Sequence, residues 1–272
     1  MSCYSYETIV FEGGIFDTFV DASYVLTLDN STRRAQFIKE ISILKPTKKT
    51  YVQTNSGYKK CSKKGVKRPY EDLCHAFKQA ASHALTHGFK NVLIFEDDVQ
   101  FTEYFLTNKE KLAFEIKNFF ESHKGRLAYA LGMLPTFSWY VNKNTRRGLG
   151  AGSHAIIYDH VLLREMRDIP LQDVDRWLNL SCPKYFHCRL LAYQLCPLTE
   201  NMASWGVGMN VFDKLVSSCL KMYIRLTGLA THEQPGYYIA YVVSMIIPYL
   251  LIWATLRCMC KFVNLTFSSV HS

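Results

Sequence analysis

Short apolar runs alternate with amphipathic stretches along most of this chain. Apolar runs bounded by polar residues are typical of buried strands, whereas apolar residues three and four positions apart predict helices. The predicted strands cover residues 24–28, 50–54, 91–95, 127–133 and 153–158, and the predicted helices cover 33–44, 70–87, 110–123 and a stretch beginning at 161. The segment 148–152 contains three glycines and is expected to be flexible. This alternation predicts an α/β fold, a sheet flanked by helices.

The first candidate for chemistry is the acidic triplet Glu96, Asp97 and Asp98, which directly follows a predicted strand. In open α/β sheets, ligands bind where strands end. Adjacent carboxylates repel one another, and a divalent cation such as Mn²⁺ or Mg²⁺ relieves that repulsion. Because side chains alternate along an extended chain, Glu96 and Asp98 are expected on one side and Asp97 on the other. A metal site and a plain turn or helix cap both fit this pattern.

The length of 272 residues and the hydrophobic content of 49% fit one globular domain with an appendage, and they disfavour disorder and coiled coils. The formal net charge of +9 comes from one basic segment, because residues 41–70 hold nine cations and no acid. Few aromatic residues are interleaved with these cations, so nucleic acid is not favoured as a partner. A solvated loop fits this segment, as does a contact with phosphates. Between lipid headgroups and a bound ligand, we expect contact with an anionic membrane.

The nine cysteines are an odd number in a chain too long to need disulfide staples, so no disulfide framework is predicted. No Lys or Arg precedes Arg33, which is the wrong charge pattern for a signal peptide. We therefore expect the first 210 residues to lie in a reducing compartment, the cytosol.

The C-terminal part contains a long apolar run. Residues 234–256 carry no charge, and the 20 residues 237–256 would form a helix of about 30 Å, which spans the core of a bilayer. A buried core helix is the alternative. We expect a single-pass C-terminal membrane anchor whose deletion from residue 232 onwards releases a soluble domain. The predicted division is a lead-in segment (1–21), a folded domain (22–210), an amphipathic linker (211–235), a transmembrane anchor (236–257) and a short tail (258–272).

Several segments together resemble the enzymes of glycosyltransferase family 25, which include lipopolysaccharide and procollagen galactosyltransferases. The family opening INLD-x-S-x-x-R is similar to VLTLDNSTRR at 25–34, and the family strand vLIlEDDv is similar to VLIFEDDV at 92–99. ALG at 130–132 falls where the family has a strand ending in Leu-Gly, and GSHAIIY at 152–158 resembles G-t-x-aYii. PLQDVDRWL at 170–178 resembles the Pro-x-Asp element before the next helix. The resemblance spans roughly residues 24–204.

The resemblance implies a GT-A fold, in which an α/β sheet binds a nucleotide sugar and a DxD-like motif holds Mn²⁺, or Mg²⁺, against the donor diphosphate. It implies that Asp98 and Glu96 ligate the metal, and that Asp29, Arg33, Glu96 and Asp97 bind the donor. The implied activity is hexosyl transfer from a nucleotide-diphosphate donor, with UDP expected, to a hydroxyl of a glycan, lipid or protein acceptor.

A second acidic pair, Asp173 and Asp175, precedes a predicted helix, where carboxylates suit a helix N-terminus better than a metal site. An inverting transferase needs a carboxylate that takes the proton of the acceptor hydroxyl. The candidates for this base are Asp175, Asp173 and Glu200, and Asp175 is preferred. His154, at a predicted strand, is either a core residue or a ligand contact.

Two functions from different classes fit the sequence. The first is a membrane-anchored, metal-dependent glycosyltransferase. The second is a membrane-tethered protein that binds nucleic acid or lipid on a catalytically inactive transferase scaffold. An inactive scaffold would not need Glu96 and Asp98, so their presence favours the enzyme, and hydrolysis of the donor distinguishes the two.

Overall fold

The computed structural model describes residues 2–123, 125–182, 184–194, 211–227 and 235–270 and contains a large mixed sheet with helices on both faces. The strands are β1 (Tyr4–Val10), β2 (Ala22–Leu28), β3 (Lys49–Asn55), β4 (Val92–Glu96), β5 (Val99–Phe101), β6 (Ala128–Ala130), β7 (Leu134–Tyr140), β8 (Thr145–Ala151), β9 (Ala155–Tyr158), β10 (Lys184–His187) and β11 (Ala192–Gln194). The helices are α1 (Arg34–Leu44), α2 (Pro69–Thr86), α3 (Glu103–Thr107), α4 (Lys109–Ser122), α5 (His160–Asp168), α6 (Val174–Ser181), α7 (Val211–Leu226) and α8 (Pro235–Val270). The predicted α/β class is confirmed.

Nine strands form the main sheet in the order β1-β3-β2-β4-β9-β6-β10-β8-β7, while β5 and β11 form a separate two-stranded ribbon. The neighbours β3, β2 and β4 run parallel, and Val25 of β2 lies opposite both Val52 of β3 and Phe95 of β4. This register ends the three strands at one edge of the sheet. The loops that follow them, which carry the predicted site residues, therefore meet there.

Two hydrophobic cores cover the two faces of the sheet. In β2, Tyr24 and Leu26 belong to the core beneath α2, α5 and α6, whereas Val25 belongs to the core beneath α1, α3 and α4. Alternate side chains of one strand are thus buried on opposite faces, as its continuous apolar run predicts.

The N-terminal strand β1 brings together two cysteines, although the sequence predicted no disulfide framework. It runs antiparallel to β3 with Tyr4 opposite Asn55, which places the residue before β1 beside the loop that follows β3. Cys3 and Cys61 meet there and form a disulfide. Sequence spacing could not reveal this pair, because it depends on how β1 joins the sheet.

The glycine-rich segment 148–152 is not a flexible loop, since most of it forms β8 beside β7. A Cβ atom at Gly150 would lie 2.2 Å from the carbonyl oxygen of Leu134 in β7. Glycine at this position allows the close approach of two strands.

The C-terminal helix α8 contains one stretch, Pro235–Arg257, that is long and apolar enough to cross a membrane, with a mean hydropathy of 2.0. Its first turns pack on the domain: Tyr237, Tyr241 and Ser244 are buried, and the Ser244 hydroxyl lies 2.9 Å from that of Ser138 in β7. Farther along, α8 exposes large apolar side chains, among them Ile246, Tyr249, Leu250, Ile252, Trp253 and Leu256.

Candidate active site

The loops after β2, β3 and β4 enclose a cavity of about 480 Å³ at the edge of the sheet. We call it the donor cavity, after the donor-binding role that the resemblance predicts for several of its residues. Its walls include residues 26–33 at the end of β2 and beyond it, 55–60 at the end of β3 and beyond it, and the acidic triplet that begins at the end of β4. The cavity thus lies where the ends of adjacent parallel strands meet, the usual position for a ligand in an open α/β sheet.

Glu96 and Asp98 face this cavity from the end of β4. The Ser153 hydroxyl donates to Glu96 Oε1 over 3.1 Å, and the Gln194 side-chain amide donates to Asp98 Oδ2 over 3.0 Å. Asp98 is only 8% exposed, and its Oδ1 has no hydrogen-bond partner among the described residues. A buried carboxylate oxygen without a partner is costly, and a bound cation would offset that cost.

The raised pKa values of the two carboxyl groups also indicate that a cation would be favoured beside them. Burial, followed by the charges of Asp98 and Asp175, raises the pKa of Glu96 well above its ordinary value. Burial also raises the pKa of Asp98 to about 6, although Arg33 and the hydrogen bond from Gln194 oppose the rise. Both groups therefore resist ionisation, and a bound cation would reverse that effect.

These residues fit a divalent cation of the kind that also binds phosphate. Mg²⁺ and similar hard ions are commonly held by one or two carboxylates together with waters and substrate phosphates. Across the described residues, no group of three or more His, Cys, Asp or Glu side chains is placed to hold a metal unaided. Glu96 and Asp98 match the site in which one or two carboxylates hold the ion and a phosphate ligand would complete its coordination. One oxygen of Asp98 has no partner among the described residues.

Asp97 has partners of its own. Its Oδ2 accepts a hydrogen bond of 2.5 Å from the Thr27 hydroxyl, and its Oδ1 accepts one of 2.9 Å from the Arg33 guanidinium. Asp97 is buried, and both of its oxygens are thereby occupied. The carboxylate ties the loop after β2 to the end of β4 and holds Arg33 at the wall of the donor cavity.

Asp29, for which the resemblance predicts a donor contact, also lines the donor cavity, and it has a partner that the sequence did not indicate. The Lys60 ammonium donates to Asp29 Oδ1 over 3.0 Å. Lys59, Lys60 and Tyr58 of the basic segment line the same cavity. Part of the positive charge of this chain therefore borders the predicted donor site.

The basic segment is not a solvated loop throughout, because Lys63 is buried. Its ammonium lies 2.6 Å from Asp72 Oδ1 and 2.7 Å from Asn55 Oδ1. The Asp72 carboxylate also accepts a hydrogen bond from the backbone N–H of Tyr58. Together with the Cys3–Cys61 disulfide, this buried ion pair fixes the loop after β3 beside the donor cavity.

Neither Asp173 nor Asp175, the predicted catalytic carboxylates that the structure describes, lines the donor cavity. Asp173 caps the N-terminus of α6 by accepting from the backbone N–H of Arg176, which confirms the predicted helix start. Asp175, in the first turn of α6, accepts bonds of 2.8 Å from the Lys184 ammonium and the Gly152 N–H. Glu200 lies outside the described residues. The assignment of the base to any of these residues stays a prediction.

His154 is fully buried, and neither ring nitrogen has a hydrogen-bond partner among the described residues. Burial lowers the pKa of His154 to about 4. The imidazole is therefore neutral at physiological pH. His154 does not line the donor cavity. Of the two alternatives that the sequence left open, its position is that of a core residue.

Sequence reasoning missed Gln194 and Ser153, which donate to Asp98 and Glu96. Gln194 lies on β11 and reaches Asp98 because this strand pairs with β5, with Gln194 opposite Val99. No local pattern marks such a residue. The hydroxyl of Tyr237, from α8, in turn accepts a hydrogen bond of 3.1 Å from the backbone N–H of Gln194.

No protein-family model matches the sequence, and no curated protein matches it. Among solved structures, A197 from STIV is similar with a TM-score of 0.39 and 9% identity, over 61% of this chain and 81% of that chain. A glycosyltransferase involved in the glycosylation of the major capsid of PBCV-1 has a TM-score of 0.39 and 11% identity, over 74% of this chain and 99% of that chain. A Bacillus anthracis protein assigned as a glucose-1-phosphate thymidylyltransferase, solved in complex with a sucrose, has a TM-score of 0.31 and 8% identity. The match covers 70% of this chain and 79% of that chain.

At TM-scores below 0.5, these similarities assign neither a fold family nor a function to this chain. The expected membership of glycosyltransferase family 25 stays a prediction.

Proposed function

We propose that this protein is a glycosyltransferase that transfers a sugar from a nucleotide-diphosphate donor to an acceptor hydroxyl and is held at a membrane by α8. The observation that carries the proposal is the pair Glu96 and Asp98 at the end of β4. Burial raises the pKa of both carboxyl groups, one oxygen of Asp98 has no hydrogen-bond partner among the described residues, and both residues line the 480 Å³ cavity. Such a site suits a cation that carries a diphosphate.

Each wall of the donor cavity has a proposed role. Asp98 and Glu96 would hold Mn²⁺ or Mg²⁺, which when bound would neutralise the charge that develops on the leaving nucleoside diphosphate. Arg33, kept in place by Asp97, and Lys60, beside Asp29, add positive charge at the same wall. The phosphates would lie among these groups, and the nucleoside would lie toward Asp29 and Tyr58.

For the catalytic base we propose Asp175. Of the two candidates that the structure describes, Asp175 is the one whose charge raises the pKa of Glu96, so it is electrostatically close to the proposed metal site. Lys184, which is fully buried, pairs with Asp175 and would steady the carboxylate while it takes the proton of the acceptor hydroxyl. The acceptor would be a glycan, a lipid or a protein.

The proposed membrane anchor is the apolar part of α8. Its exposed surface is dominated by large apolar side chains, whereas its first turns pack against β7. A helix that is both apolar outside and docked on the domain would hold the folded part close to the bilayer surface.

The alternative, a nucleic-acid- or lipid-binding protein on an inactive scaffold, depends on a basic segment that is free to bind. Lys63 is buried against Asp72, and Lys60 is paired with Asp29 at the donor cavity. These contacts favour a role for the segment at the donor site instead.

The test is release of UDP from a panel of UDP-sugars by the full-length protein in neutral detergent with Mn²⁺. One sugar nucleotide should give turnover that EDTA and Asp98→Asn both abolish. The matched control is Asp168→Asn, which makes the same change at an exposed aspartate on α5 and should keep full activity. Turnover that is unaffected by EDTA and by Asp98→Asn would refute the proposed site. If none of the sugar nucleotides is turned over, the binding-protein alternative becomes the better account.

A further inference from the structure

A second cavity, of about 410 Å³, lies between the first turns of α8, the β7–β8 hairpin and the segment before β11. None of its lining residues also lines the donor cavity. The two cavities lie toward opposite ends of the β5–β11 ribbon, because Gln194 pairs with Val99 at one end and Ala192 pairs with Phe101 at the other. The second cavity is therefore a separate feature of the fold.

Arg146 of β8 lines this cavity and is 1% exposed. Its terminal NH2 group donates to the Ser138 hydroxyl, to the backbone carbonyl of Tyr241 over 2.9 Å and to the Ser244 hydroxyl over 2.9 Å. Its Nε has no partner, and among the described residues no carboxylate forms an ion pair with it. A buried cation without a counter-ion is strongly destabilising.

Aromatic rings compensate for only part of this charge. The guanidinium carbon of Arg146 lies 5.2 Å from the ring centre of Phe186, 5.3 Å from that of Tyr241 and 5.7 Å from that of Tyr140. Such contacts stabilise a cation only modestly, and they do not pair the Nε–H. Burial lowers the pKa of Arg146, and none of the groups that oppose this change is a carboxyl group. Among the described residues, no carboxylate therefore balances the charge of Arg146.

A second arginine, Arg189, lines the same cavity from the segment before β11. It is exposed, its guanidinium lies 4.7 Å from the ring centre of Tyr104, and across the described part of the chain it has no carboxylate partner either. Two arginines that share one cavity without an acid are typical of a site for a phosphate or carboxylate group.

The remaining wall is apolar and comes from α8, which contributes Val242 and Met245. These residues lie near the start of the apolar stretch Pro235–Arg257, at the level where a spanning helix meets the headgroups. The tip of the β7–β8 hairpin beside them exposes Trp139, Tyr140 and Val141. Aromatic and apolar side chains of this kind are enriched at the interface between membrane and water.

We propose that this cavity binds the anionic head of a membrane amphiphile, with a phosphate between Arg146 and Arg189 and the acyl chain along Val242 and Met245 of α8. The proposal rests on the membrane association of α8 proposed above and is independent of sugar transfer. The proposed ligand is a phosphomonoester or phosphodiester with an apolar tail. A free phosphate has the charged group but lacks the tail.

The test is equilibrium binding of short-chain lipids to the full-length protein in neutral detergent, with no sugar nucleotide present. Dioctanoyl phosphatidic acid should bind at least tenfold more tightly than dioctanoyl phosphatidylcholine, and inorganic phosphate at least tenfold more weakly than phosphatidic acid. Arg189→Gln should raise the Kd for phosphatidic acid at least fivefold, and Arg189→Lys should restore part of the affinity because it keeps the charge. Arg164→Gln removes the same charge from an exposed position on α5 outside both cavities and should have no effect.

Equal affinity for phosphatidic acid and phosphatidylcholine would overturn the proposal, since the arginines would then play no part. Inorganic phosphate that binds as tightly as phosphatidic acid would overturn the amphiphile in favour of a free phosphate. An unchanged Kd in Arg189→Gln would overturn the assigned location. Arg189 makes no hydrogen bond from its guanidinium among the described residues, so its replacement tests binding without threatening the fold. Absence of UDP release would refute the transferase and leave these outcomes intact.

Discussion

Replacing Asp98 by Asn should stabilise the metal-free protein while it abolishes activity. Asp98 is buried, and burial raises its pKa from 3.8 to about 6. The folded state thus binds this proton more tightly than the unfolded chain does. The charge on Asp98 therefore destabilises the fold at every pH above about 6, and this cost disappears below about pH 4, where both states are protonated.

The size of the effect follows from the difference between the two pKa values. A pKa difference of about 2 corresponds to about 3 kcal/mol of unfolding free energy at pH 8. Asparagine has the same shape as aspartate, carries no charge and keeps an oxygen that accepts from Gln194. Removing the charge also relieves Glu96, whose pKa Asp98 raises. The variant should therefore gain about 3 kcal/mol at pH 8 and nothing at pH 4.

The assay is urea unfolding of the full-length protein in neutral detergent with EDTA, at pH values from 4 to 8. Asp168→Asn, at an exposed position, should follow the wild type at every pH. Saturating Mn²⁺ should stabilise the wild type and leave Asp98→Asn unchanged, because a ligand stabilises only the state that binds it. A variant that is less stable than the wild type at pH 8 would refute the claim that Asp98 carries an uncompensated charge.

Four further predictions concern residues around this site. Cys61→Ser frees the loop beside the donor cavity, so initial rates should show a raised KM for the sugar nucleotide with kcat little changed; an unchanged KM would speak against the loop as a donor contact. Gln194→Ala removes the hydrogen bond to Asp98 and should weaken Mn²⁺ binding by about tenfold in a metal titration, about 1.4 kcal/mol, and equal affinity would remove Gln194 from the site. His154 is neutral in the fold with a pKa lowered to about 4, so the wild type should lose up to about 3 kcal/mol relative to His154→Phe as pH falls from 6.5 to 4, measured by urea unfolding; parallel profiles would contradict the buried neutral imidazole. Deleting residues 235–272 removes two hydrogen-bond partners of Arg146, Tyr241 and Ser244, and should lower the yield of folded protein sharply in a solubility assay, whereas deleting 258–272 should not. A soluble, folded protein lacking 235–272 would restore the simpler anchor expected from the sequence.

Strands β2, β4, β6 and β9 could be predicted because each is a largely apolar run. Residues such as Val25 and Ile94 are buried on one face or the other of the sheet, and the helices α1, α2 and α4 show helical spacing of their buried positions. The acidic triplet stood out because charged residues directly after a buried strand are unusual. Local sequence carried all of this information.

Strands β8 and β10 could not be predicted, because they contain charges that only the fold compensates. Lys184 of β10 is fully buried through its contact with Asp175, and Arg146 of β8 is buried beneath α8. A charged residue in a strand is predicted to be exposed when the partner that allows its burial is distant in sequence. For the same reason Gln194, which is 96 positions from Asp98, could not be recognised as part of the site.

The most direct test of the proposed donor site is calorimetric titration of the full-length protein with UDP, in Mn²⁺ and in EDTA, for the wild type and for Asp98→Asn. The wild type should bind UDP in Mn²⁺, and the affinity should fall at least a hundredfold in EDTA or in the variant, because the diphosphate reaches the protein largely through the cation held by Asp98 and Glu96. Equal affinity for UDP with and without Mn²⁺, or in the wild type and Asp98→Asn, would contradict the account.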